Sequence, residues 1–83
     1  MPKAIPDERG FKFRFFSNEN DEPPHVHVFK GNGKHPKAKW WLTPKPKLDY
    51  SVGFTVQEHG IIEDIIEKKY LQMVKKWKQH FKM

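Results

Sequence analysis

Eighty-three residues with no cysteine, sixteen Lys or Arg against ten Asp or Glu, and seven Phe, three Trp and two Tyr describe a small, basic, aromatic-rich chain. Its formal charge is +6 and its sequence pI about 9.7. These counts exclude a disulfide framework, a thiolate metal site and a cysteine nucleophile, and no apolar run approaches the ~20 residues that cross a bilayer.

A chain of this length buries roughly 60–65% of the surface its unfolded form exposes, so residues 1–83 are read as one domain with one modest core. Large aromatic side chains bury roughly 150–250 Å² each and can carry such a core without staples. The opening Met1-Pro2-Lys3-Ala4-Ile5-Pro6 lacks the apolar stretch of a signal peptide. The expectation is a cytoplasmic protein with no membrane partner and no cofactor.

Residues 1–9 are read as an N-terminal arm. From residue 10 to 17 the chain alternates, with Phe11, Phe13 and Phe15 against Lys12, Arg14 and Phe16, a strand signal. Residues 18–24 form a polar, Pro-rich loop, and residues 25–30 the second strand. Asn32-Gly33 supplies the positive φ angles of a tight turn, and a third strand follows over residues 37–42. Thr43-Pro44-Lys45-Pro46-Lys47 interrupts any ladder, because proline has no N–H to donate. A short fourth strand is expected over residues 48–52.

At Thr55-x-x-Glu58 the period changes, and the pair forms a capping-box pattern. Apolar residues then recur at spacings of three and four, from Ile62 through Trp77 to Phe81. Acids populate the first half of this stretch and lysines the second, matching the helix dipole. The expected architecture is α+β: an antiparallel sheet of three to four strands within residues 10–52, then one long helix over residues 55–82 packed on one face. The alternative is a kinked helix or two nearly collinear pieces, broken at Gly60, which costs about 1 kcal/mol relative to Ala in a helix interior, or at a Lys68-Lys69 joint.

Charge is segregated. No acid lies between Glu22 and Asp49, and none follows Glu67, whereas lysines fill both stretches. Two basic blocks point to a polyanionic partner, with solubility and helix-end electrostatics as the plainer explanation. Alternation gives one sheet face Phe11, Phe13, Phe15, Val26, Val28, Ala38, Trp40, Leu42, Leu48 and Tyr50, which the helix stripe covers. The opposite face carries Lys12, Arg14, Phe16, His25, His27, Phe29, Lys39 and Trp41. Cations interleaved with aromatics on an open sheet can stack bases and neutralise phosphates, so these eight residues are the candidate RNA- or DNA-binding set. Alternatively, Phe16, Phe29 and Trp41 are buried against an identical chain or another small protein.

His25 and His27 leave one face of their strand and carry three readings. They are candidate metal ligands, with His35, Glu22 or Asp49 as a third. They are also candidate acid–base groups of a metal-independent ribonuclease, with Lys39 or Arg14 for the phosphate. The structural reading has them hydrogen-bonded to neighbours that fix the Pro-Pro entry. Enzyme and binding module both stay open. His59 and His80, on the helix, are read as structural.

Asp21-Glu22-Pro23-Pro24-His25-Val26-His27-Val28, then Ala38-Lys39-Trp40-Trp41-Leu42, Ser51-Val52-Gly53-Phe54-Thr55 with Glu58, and Trp77 with His80-Phe81 resemble the bacterial domain-of-unknown-function family 4160. The resemblance runs from about Phe11 to Phe81. It implies no established activity, membership of a two-gene cassette of toxin–antitoxin type, and a functional surface around the Pro-Pro-His-Val-His stretch.

Overall fold

A computed structural model describes residues 3–15, 23–31 and 36–81, the side chains of residues 80 and 81 excepted. Five strands run in chain order, β1 (Lys3–Glu8), β2 (Phe11–Arg14), β3 (His25–Lys30), β4 (Lys37–Trp41) and β5 (Lys47–Val52), followed by α1 (Val56–Lys68) and α2 (Tyr70–Phe81). The strands form one antiparallel sheet of order β1-β2-β3-β4-β5. The α+β class and the antiparallel meander agree with the sequence reading. The strand count and the single helix do not.

The additional strand comes from the residues read as an arm. β1 escapes pattern recognition because its pairing slips between Lys3 and Ile5 and again between Ile5 and Glu8, which destroys simple alternation. Pro6 also argues against a strand, yet β1 is an edge, where a missing N–H costs no ladder bond. Glu8 pairs with Phe11, so Arg9 and Gly10 alone make the turn. Their φ angles of 53° and 84° are those of a type I′ hairpin, which needs positive φ at both central residues.

The helical stretch breaks at Lys69 (φ −106°, ψ 13°), inside the pair marked as a joint. The break is one residue long. Lys69 N–H donates to the Ile65 carbonyl and Met73 N–H to that of Lys69, both at 2.9 Å. At the other end of α1 the capping box is complete: Glu58 N–H donates to Thr55 Oγ1 at 3.1 Å and Thr55 N–H to Glu58 Oε1 at 3.0 Å. Glu58 also takes a hydrogen bond from Lys30 on β3. That bond first, and the Thr55 backbone second, hold its carboxyl below the usual glutamate range. Just before the cap, Gly53 has φ +86°, and a Cβ there would lie 2.6 Å from Pro36 Cβ. Both facts require glycine at the strand-to-helix junction.

One face of the sheet is the core. Phe11, Phe13, Phe15, Val26, Val28, Ala38, Trp40 and Leu42 cluster with Ala4 and Ile5 from β1, Ile62, Ile65 and Ile66 from α1, and Met73 and Trp77 from α2. Trp40 Nε1–H donates to Glu63 Oε2 at 3.0 Å, and the His59 ring meets Trp40 edge-on and Ser51 Oγ at 2.7 Å. These polar contacts fix the azimuth of α1 over β4 and β5. Arg9–Asp64 and Lys69–Glu8 pairs tie the helices back to the first hairpin.

Tyr50 departs from its expected place in that core. Lys39 pairs with Tyr50 but Trp40 pairs with Leu48, so Asp49 is an extra residue on β5. Paired residues share a face, so Leu48 stays beside Trp40 while the bulge carries Tyr50 across to the side of Lys39. Tyr50 is accordingly exposed.

Candidate functional site

The face opposite the core is organised in rows across the strands, because the pairing registers align its side chains. One row is Arg14–His27–Lys39–Tyr50, a second is Lys12–Phe29–Lys37–Val52, and a third is His25–Trp41–Lys47. Adjacent positions in a row are about 4.8 Å apart and the rows about 6.8 Å apart, two residues along a strand. Every row carries at least one cation and at least one ring. Seven of the eight predicted binding residues are therefore on one surface. Phe16 lies outside the described residues.

That surface is not open, which corrects the expectation of a bare sheet. His25 is 0%, His27 4%, Lys39 6% and Phe29 7% exposed. Lys12, Arg14 and Trp41 are half-buried, and Lys37, Lys47, Tyr50 and Val52, at the ends of the same rows, are exposed. Val26 and Val28 are buried on the other side, so β3 is covered on both faces, as its unbroken run of buried residues records. Burial of Phe29 within the chain also removes it from any aromatic docking surface.

The interior of the cluster is built from rings and one ammonium group. The His25 ring lies 5.2 Å from that of His27, 5.6 Å from that of Trp41 and 4.9 Å from that of Trp77 on α2. Trp77 also meets Phe15 edge-on at 5.4 Å. One indole thus spans the end of the sheet, touching a core-face residue and a histidine-face residue. Lys39 Nζ sits 4.5 Å from the centre of the Trp41 ring, within cation–π range, and 3.8 Å from Asp49 Oδ2. The bulge that displaces Tyr50 is the same feature that brings Asp49 to Lys39. Arg14 donates to Asp7 Oδ1 on β1 at 3.1 Å and to its neighbour's carbonyl.

At the Pro-Pro entry the structural reading of the histidines holds for His25. Prolines donate nothing, but both carbonyls accept. His25 Nδ1–H donates to the Pro23 carbonyl at 2.9 Å, and Leu42 N–H donates to the Pro24 carbonyl at 2.9 Å. A carbonyl cannot donate, so His25 carries a proton on Nδ1. For a metal, His25 and His27 would need a third ligand. Of the three named candidates, His35 and Glu22 lie outside the described residues, and Asp49 faces Lys39. Among the described residues, no group of three or more His, Asp or Glu is placed to hold a metal ion.

Two contributors escaped the sequence reading. Tyr50 was hidden by a bulge that leaves no mark in the alternation. Trp77 was assigned to the core by helical spacing, and nothing local says that it also packs on His25.

A basic antiparallel meander backed by two helices, with a ring-and-cation cluster on its second face, is the class these observations define. The family model described as domain of unknown function (DUF4160) matches residues 10–78, and the chain belongs to that family. No curated protein and no solved structure matches it. No helix among the described residues is long and apolar enough to cross a membrane.

Proposed function

We propose that this chain binds nucleic acid, RNA or DNA, at the rim of its histidine face. Lys12 makes the first contact with phosphate, Arg14 lies behind it paired with Asp7, and Trp41 offers a ring for stacking. Lys39, held over Trp41 by cation–π attraction, adds positive potential beneath that ring. His25, His27 and Phe29 are the platform that fixes these groups in position, not the first points of contact. The observation supporting this reading best is the presence of both cations and rings in each of three adjacent rows of one sheet face. Such a surface combines phosphate neutralisation with sequence-tolerant stacking. Membership of a two-gene pair of toxin–antitoxin type is part of the same proposal and rests on the family resemblance alone.

Fluorescence anisotropy with labelled 20-nucleotide RNA, single-stranded DNA and duplex DNA tests it. Binding should weaken steeply as salt rises, because released counterions drive it. Trp41→Ala should weaken single-strand binding by about 1–3 kcal/mol, the range of one lost stacking contact. No binding of any probe at 20 mM salt would end the proposal.

A further inference from the structure

We infer that the outer face of α2 is a second phosphate-contacting surface, separate from the sheet, along which a nucleic-acid backbone runs. The inference rests on the nucleic-acid reading and locates a docking element within it. Met73 and Trp77 point α2 into the core, and helical geometry turns Leu71, Lys75 and Lys78 to one outer side, with Lys76 about 100° round the helix from Lys75 on the other flank. All four are exposed. Lys75, Lys76 and Lys78 enter no ion pair with any described residue. Lys68 and Lys69, at the joint, are by contrast paired with Asp64 and Glu8. The nearest acid in sequence, Glu67, precedes the joint. Lys75 and Lys78, neighbours at i and i+3 with no ion pair to a described residue, form the cationic edge, and Lys76 extends it round an element pinned to the core through Trp77.

A phosphate backbone fits this edge better than the other polyanionic surfaces. A helix that lies in a membrane interface must bury an apolar stripe in lipid. The stripe of α2 is spent on the core, leaving Leu71 as the exposed large apolar residue among its described side chains. Protein interfaces are depleted in lysine, whereas phosphate accepts its compact point charge without a fixed geometry.

The test compares the full chain with the variant Lys75→Gln/Lys76→Gln/Lys78→Gln, using labelled 20-base-pair DNA, a 20-nucleotide RNA and anionic phosphatidylserine vesicles. Circular dichroism should be unchanged, because these are surface positions. The slope of log K against log salt should flatten by about 2 for the single strand and by nearly 3 for the duplex. Backbone amide shifts of the unmodified chain on adding either nucleic acid should extend along residues 71–79. If the parent chain binds and the variant keeps its slope, the α2 surface is wrong while the sheet reading stands. If the parent chain binds neither nucleic acid, both fall. Binding to vesicles alone would replace the proposed partner.

Discussion

The two faces of this sheet are buried to similar depth at their centres by different chemistry, and only the second has an exposed rim. Under α1 the side chains are hydrocarbon: three phenylalanines, two valines, an alanine and Trp40, closed by isoleucines. On the other face His25, His27 and Lys39 are as deeply covered, but each carries nitrogen that water would otherwise solvate. Burying such groups is favourable only when they are hydrogen-bonded or paired. His25 meets this condition through the Pro23 carbonyl, and Lys39 through Trp41 and Asp49. The core face therefore supplies stability. The histidine face keeps polar groups in fixed positions at an energetic cost, a pattern expected where position matters for binding.

Four measurements break or sharpen this contrast. The largest effect belongs to the core face: Phe13→Ala should destabilise the chain by about 3–5 kcal/mol, read from urea unfolding. His25→Ala should cost about 1–3 kcal/mol, because it removes the part-buried hydrogen bond to the Pro23 carbonyl and opens space beside Trp77, and should shift the Trp emission maximum. A loss as large as that of Phe13 would mean the two faces do the same work. Lys39→Met should change stability by less than about 1 kcal/mol, since its partner Asp49 is partly exposed and can return to water. The same variant should weaken oligonucleotide binding, separating function from folding on one face.

The smallest effect is an acid limb. Glu58 titrates below its unfolded value, so its contribution is complete above about pH 4.3 and is lost as pH falls through the lowered folded value. Stability of the parent chain should drop on acidification in that window, and Glu58→Gln should flatten this part of the profile.

Where local pattern and final structure coincide, a short-range cause was sufficient. Residues 11–14 and 25–30 alternate because their neighbours pair in register, and Thr55 with Glu58 satisfies donors only three residues away. The joint at Lys69 falls within the Lys68-Lys69 pair. Where they diverge, the cause is non-local or leaves no compositional trace. β1 depends on bulges that scramble its period, and the side on which Tyr50 emerges depends on one extra residue at Asp49. The covering of His25 depends on Trp77, fifty-two residues later in the chain. The candidate binding residues were legible as a set, because alternation alone puts them together. Their accessibility was not, since what covers a face is decided by other segments.

The irregularities at the two margins of the meander have a consequence for solubility. A straight outer strand offers a ladder of unused amides to any other copy, the usual route to runaway strand addition. Here one margin has Pro6 and two slips in pairing, and the other has Lys47 and a kink at Asp49. Neither presents a flat template. Concentrated solutions of this chain should consequently resist fibril formation, and straightening the second margin by deleting Asp49 would remove part of that protection.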